Sequence, residues 1–278
     1  MGISLMIAKW IHQLFFESPL FETQWQNISL LDIAEQKKID PNTVAASDFY
    51  EAFYDQFDES GYNFDIDWIR IKQAQTDKMR NFINKKLSDN CNARFLSIGV
   101  GTGFVEETLL NEGFKIDLQE CQPVSLNYLR EKKVPFKEYI TSDLSILPQE
   151  EYDIIFAFTI SYCFAYDDYQ AFLKSIYGLL KKEGQLILFD PNINRPRRPL
   201  IKYVLYPVKR LKKWLREYRS TSSYKKGVLW GWLRHSYLHR VLAQRAGFYL
   251  KSEFFTDNYS QKVSDLYQAV WVWFVYQK

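Results

Sequence analysis

The chain has 278 residues, 47% of them apolar and 25% charged, which is the balance of a globular protein rather than a disordered or fibrous one. That length suits one large domain, or one domain with an appendage. Net charge is only +3, yet twelve Lys and Arg against one acid, Glu217, fall between Arg195 and Lys226, leaving a mildly acidic remainder. Three scattered cysteines, Cys91, Cys121 and Cys163, offer neither a disulfide framework nor a metal-ligand spacing. No apolar run reaches the roughly 18 residues of a spanning helix. The opening stretch "MGISLMIAKWIHQLFF" has no basic leader and no small-residue cleavage site, so a cytoplasmic location is expected.

Residues 1–47 are expected to form a helical extension, followed by the acidic, aromatic segment "DFYEAFYDQFDES". From Arg94 short apolar runs alternate with helical ones. "RFLSIG" reads as a strand and "GFVEETLLNEG" as a helix closed by Gly113. "FKIDLQE" is a second strand, and "PVSLNYLREKK" a helix with Pro123 in its first turn. "PFKEYITSD" is a third strand and "YDIIFAFT" a buried fourth. "DDYQAFLKSIYGLLKKEG" is an amphipathic helix with lysines at its end, and "QLILFD" a fifth strand. The alternation predicts a doubly wound, mostly parallel sheet covered on both faces. Beyond Asp190 the prolines of "PNINRPRRP" break the pattern, and residues 191–230 are read as a basic helical insertion. "WLRHSYLHRVLAQRAGF" is read as a helix ended by Gly247, and two final runs, "FYLKSEFF" and "YQAVWVWFVYQK", as an antiparallel pair.

The turn in "RFLSIGVGTGFVEETLL" carries Gly99, Gly101 and Gly103 between a strand and a helix. Such a turn lets backbone N–H groups approach a ligand and sets it at the positive end of the helix. A triphosphate loop needs Gly-Lys-Ser/Thr, and no lysine follows Gly103. A dinucleotide fingerprint needs a third glycine where Phe104 stands.

The spacing of "LSIGVGTG" resembles the first motif of the class I S-adenosylmethionine (SAM)-dependent methyltransferases. The resemblance extends to Glu120 of "IDLQECQP", where that family carries the acid of the ribose hydroxyls. It extends also to Asp143 of "ITSDLSILP", where an acid meets the adenine amino group. The run "LLKKEGQLILFDP" and the "RAGF" turn before two closing strands fit the same pattern. The resemblance implies a Rossmann-like methyltransferase domain over 48–278, with a seven-stranded, mostly parallel sheet, an antiparallel C-terminal strand and SAM as cofactor. In that family an acid stands two residues before the first glycine; here the position is Ser97. The resemblance also makes Tyr50 and Tyr54 candidates to close over the cofactor, with packing against the core as the alternative. It places Thr159 beside the cofactor, and Ser161 and Tyr162 along the acceptor site.

Transfer from a sulfonium needs alignment, desolvation and sometimes a base. Histidine is the natural base near neutral pH. His235 and His239 lie four apart on one helical face, without a third ligand for a metal. His235, opening the helix before the last two strands, is taken with Tyr162 as a catalytic candidate, with a surface or packing histidine as the alternative. The Asn/Asp-Pro-Pro-aromatic sequence of nucleic-acid amine methylases is absent after the fourth strand, and nucleic acid is not expected. The insertion after the fifth strand resembles the lid of methyltransferases of saccharide, lipid and quinone pathways, which implies a small-molecule, lipid-like or saccharide-type acceptor. In 200–218, Val208, Leu211, Leu215 and Tyr218 form one stripe and five cations crowd the other faces, which suits contact with an anionic membrane surface. A solvated lid helix is the alternative reading of that stretch. The competing functions are a nucleic-acid or protein binding module and a catalytically degenerate homologue.

Overall fold

The computed structural model describes residues 8–13, 16–43, 47–193, 227–264 and 267–278. The basic segment of 195–226, including the amphipathic stretch 200–218, lies outside the described residues. In chain order the elements are β1 (Glu17–Glu22), β2 (Gln24–Trp25), β3 (Ile28–Ser29), α1 (Leu30–Gln36), α2 (Ser47–Glu59) and α3 (Ile66–Asp89). Then come β4 (Phe95–Ile98), α4 (Phe104–Asn111), β5 (Ile116–Glu120), α5 (Asn127–Glu131), β6 (Lys137–Ile140) and β7 (Tyr152–Phe158). The chain closes with α6 (Tyr166–Leu179), β8 (Leu180–Ile193), β9 (Val228–Arg234), α7 (Ser236–Arg245), β10 (Tyr249–Ser264) and β11 (Tyr267–Gln277).

Strands β6, β5, β4, β7 and β8 pair in parallel in that order. β11 joins β8 antiparallel and carries β10 on its far side, which completes the expected seven-stranded sheet with its single reversed strand among the core strands. Every residue of β7 is buried, as a strand covered on both faces requires. Its side chains alternate between two cores. Ile155 and Ala157 pack with Leu173 and Ile176 of α6 and Leu238 and Leu242 of α7. Ile154, Phe156 and Phe158 pack with Met79 and Ile83 of α3, Val105 and Leu109 of α4, and Leu129 of α5. The period of two in the sequence is therefore what puts helices on both sides of the sheet.

Two strands extend the sheet beyond this core. β9 meets β8 at the bridge Asn192–Arg234, and β1 runs antiparallel to β9. This corrects two sequence expectations. The N-terminal extension is helical at 8–13 and in α1, but Glu17–Glu22 is a strand. Likewise "VLWGWLR", read partly as insertion and partly as helix, is strand β9. Apolar and aromatic residues accept either conformation when a strand partner is available, and here the partner lies more than 200 residues earlier in the chain. Pro19 is tolerated because β1 is the edge strand. A third core joins Leu30 and Ile33 of α1, Phe49, Phe53 and Phe57 of α2, and Val228 and Trp230 of β9. It fastens α2 beside the turns that follow β4 and β7.

Candidate active site

A cavity of about 550 Å³ opens at the carboxyl ends of β4, β5 and β7. The sheet order reverses between β4 and β7, and open α/β sheets bind ligands at such a reversal. Gly99, Gly101, Glu120, Asp143, Thr159, Tyr50, Tyr54 and Tyr162 all line this cavity. Sequence positions spread over 113 residues are thereby brought together.

The glycine turn has φ of +65°, +61° and +78° at Gly99, Gly101 and Gly103, a region where a Cβ is strained. The neighbours differ. A Cβ at Gly99 would run into the Ile160 side chain, and one at Gly103 would come within 2.5 Å of Leu129 Cδ1. At Gly101 the nearest group, the Tyr54 hydroxyl, stands farther off at 3.1 Å. Gly103 caps α4 with Leu129 on its Cβ side and is not among the residues that line the cavity.

Glu120 ends β5 with its carboxylate turned back onto the turn. Oε2 accepts from the Gly101 N–H at 2.7 Å, and Oε1 from the Cys121 N–H at 2.7 Å and its thiol at 3.1 Å. Burial pushes its carboxyl above the usual range, against the pull of those backbone bonds. Asp143 is exposed at the cavity rim, and its Oδ1 accepts from the Ser145 N–H at 2.9 Å; the Ser145 hydroxyl first and this N–H second hold the carboxyl below its usual range. It is both a turn cap and a cavity residue.

At Ser97, where the resembled family has an acid, the hydroxyl donates to Glu106 Oε1 at 2.6 Å. Glu106 sits in the first turn of α4 and is buried, so a carboxylate does reach this place, from the helix rather than the strand. Lys72 of α3 lines the cavity nearby; burial pushes its ammonium down to about 8, against the pull of Glu106. Neither residue was singled out by sequence reasoning. The available signal was an acid in the first turn of the helix leaving the glycine turn, a position also favoured by the helix dipole.

Thr159 has φ of +57°, an outlier for a β-branched residue that costs about 1–3 kcal/mol. Its N–H donates to Phe189 O at 2.7 Å. Opposite stands an aromatic wall of Tyr50, Phe53 and Tyr54 from α2, Trp230 from β9, and Tyr162. The Tyr50 hydroxyl lies 3.2 Å from Cys163 Sγ. Burial pushes the Tyr50, Tyr54 and Tyr162 phenols far up and the Cys163 thiol up to about 12, so the wall stays uncharged near neutral pH. Tyr162 therefore lines the site as expected but holds its proton, which is unlike a general base.

His235 is elsewhere. It caps α7, its Nδ1 accepting from the Tyr237 N–H at 3.1 Å, and its ring packs on Phe16. His239 is buried with Nδ1 2.9 Å from the Tyr169 hydroxyl, and burial lowers its pKa. The catalytic expectation for His235 drew on residue type and on its place at the start of the helix before the last two strands; the described residues place it as that helix's cap, outside the cavity lining. Among the described residues no cluster of His, Cys, Asp and Glu could hold a metal ion.

Residues 96–188 match a family described as a methyltransferase domain. The chain is similar to magnesium protoporphyrin IX methyltransferase from Synechocystis PCC 6803, solved with bound SAH, at 14% identity and a TM-score of 0.52, over 82% of this chain and 99% of that one. It is similar also to a SAM-dependent methyltransferase from Methanosarcina mazei, at 13% identity and a TM-score of 0.49, over 66% of this chain and 92% of that one. No curated protein matches. The fold and the family match agree: residues 96–188 carry a methyltransferase domain in a Rossmann-like fold, an enzyme domain whose cofactor is SAM. The cavity suits that group, since it offers carboxylates to hydroxyl and amino groups, an ammonium to a carboxylate, and apolar walls.

Proposed function

We propose that the protein transfers a methyl group from SAM to an O or N atom of a small-molecule acceptor, lipid-like or saccharide-type, seated against the aromatic wall. The observation that carries this is one cavity holding Gly101, Glu120, Asp143 and Lys72 beside the uncharged wall of Tyr50, Tyr162 and Trp230. Bound SAM supplies an already activated methyl group. Glu120 accepts from the ribose hydroxyls, Asp143 from the adenine amino group, and Lys72, whose charge Glu106 supports, meets the carboxylate of the amino-acid end. The aromatic wall excludes water and orients the acceptor, whose proton leaves to solvent or to a group outside the described residues. The sequence charge of 195–226 supports an acceptor met at an anionic membrane face.

The amino-acid end can be tested apart from the rest. Lys72→Met is expected to weaken SAH binding by about tenfold, roughly the worth of one charge-assisted bond. It should leave binding of 5′-methylthioadenosine, which lacks that end, unchanged; equal losses for both ligands in calorimetry would remove Lys72 from this role. The function itself is tested by incubating the protein and methyl-labelled SAM with a metabolite and lipid extract. Label is expected in a small organic acceptor, and label only in protein or nucleic acid overturns the reading. The membrane part predicts sedimentation with anionic but not neutral vesicles, weakened by salt.

A further inference from the structure

The turn after β7 carries much of the cavity lining, and it is held from below by charge. Arg234, the last residue of β9, has no solvent exposure. Its guanidinium donates through Nη1 to the Ser161 carbonyl at 2.7 Å and through Nη2 to the Phe164 carbonyl at 2.5 Å. Nη2 also pairs with Glu17 Oε1 at 2.6 Å, and the guanidinium lies 4.8 Å from the Tyr169 ring centroid. Asp190 Oδ1 accepts from the Ser161 N–H at 3.1 Å. The turn is thus fixed at two carbonyls and one amide by groups outside it. Between these fixed points stand Tyr162 and Cys163, both cavity residues, and just before them Thr159 in its strained conformation and Ile160 against Gly99.

Burying an arginine is costly unless its donors are matched, and replacing a matched pair by apolar residues commonly costs little stability. Strained residues near a site persist only where their surroundings over-determine them. Arg234 and Glu17 are also cross-strand partners, and the Arg234–Asn192 bridge is what joins β9 to β8. The two strands added to the seven-stranded core therefore deliver this ion pair beneath the turn.

We infer that Arg234, held by Glu17, is a positioning residue that fixes the 161–164 turn and through it places Thr159 at the cofactor and Tyr162 at the acceptor wall. The part concerning the cofactor rests on the proposed function; the part concerning the turn does not. Arg234→Lys keeps the charge but replaces the planar fork with a single ammonium, which cannot serve both carbonyls and Glu17 in the same geometry. Amide hydrogen exchange should speed up about tenfold or more at Ser161, Cys163 and Phe164, with β4 and β7 unchanged, and SAH affinity per folded molecule should fall about tenfold. Should Arg234→Lys fail to fold, Glu17→Gln leaves both carbonyl bonds and is expected to show about a threefold version of the same local pattern. Protection unchanged at the three amides, or lost evenly over the whole sheet, overturns the inference. A wild-type protein that does not bind SAH would instead strike the proposed function and leave the exchange result standing.

Discussion

Glu120→Gln is expected to weaken SAH binding by about ten- to hundredfold. On the proposed reading its carboxylate accepts from the ribose hydroxyls, and hydrogen bonds to a charged group are each worth about 1.5–3 kcal/mol. The amide side chain keeps one acceptor oxygen but turns a donor toward either the Gly101 N–H or the Cys121 N–H, both of which now donate to the carboxylate. Glu120→Ala goes further and leaves both amides without their acceptor, at about 1–3 kcal/mol of stability for each that stays buried. The pH dependence has a definite sign. Burial raises the Glu120 pKa, so its proton returns, and its acceptor capacity falls, at a higher pH than for an ordinary glutamate. SAH affinity should therefore decline on acidification from above the usual glutamate range, and the glutamine variant should lack that decline. Calorimetry with SAH across the range checks both. Unchanged affinity in Glu120→Gln, with the pH profile intact, would place the ribose elsewhere.

What the sequence makes legible here follows from local chemistry. β7 reads as a buried strand because every position is apolar or aromatic except Asp153, and the glycine turn reads as left-handed backbone because other residues resist that conformation. Glu120 ends β5 and Asp143 follows β6 by three residues, and both are singled out by a spacing the resemblance supplies. Apart from Glu106, whose partner Ser97 is close by, the features missed have partners far along the chain. β1 and β9 stabilise each other across the whole domain, and neither "ESPLFE" nor "VLWGWLR" reveals its partner by periodicity. Arg234 falls in a run read as helix, and its partners Glu17, Ser161 and Phe164 come from distant parts of the chain. The reason for the glycines also differs from the one the sequence suggests. At Gly99 and Gly103 the space a Cβ would need is taken by Ile160 and Leu129, whereas at Gly101 the nearest group is the Tyr54 hydroxyl at 3.1 Å.

Asp190→Asn is expected to raise stability at pH 8 and to abolish a pH dependence that the wild type should show. Asp190 is fully buried beside the turn after β7, and burial pushes its carboxyl up to about 7, outweighing the Ser161 bonds and the nearby Arg234. Besides Arg234 of β9, its charge is felt by Tyr162 and Cys163 in the turn, Tyr169 of α6 and Tyr276 of β11. Because Arg234 is already paired with Glu17, an ionised Asp190 adds a buried negative charge without a cation of its own. Unfolded, the group titrates at 3.8. Between that pH and about 7 the folded protein keeps a proton that the unfolded chain has released, so stability falls as pH rises through this window. Above it both states are ionised and the whole cost stands, on the order of 4 kcal/mol at 1.36 kcal/mol per unit. Asparagine keeps an oxygen for the Ser161 N–H and carries no charge, so its stability should be flat across the window apart from other groups. Urea unfolding at pH 5, 6, 7 and 8 measures the difference, and equal slopes in both proteins would show that Asp190 is not the source. SAH affinity measured on the same samples gives the functional half: a stabilised variant that binds SAH more weakly would mean that the carboxylate is kept at the cost of stability, because its charge grips the Ser161 amide more firmly than a neutral amide can.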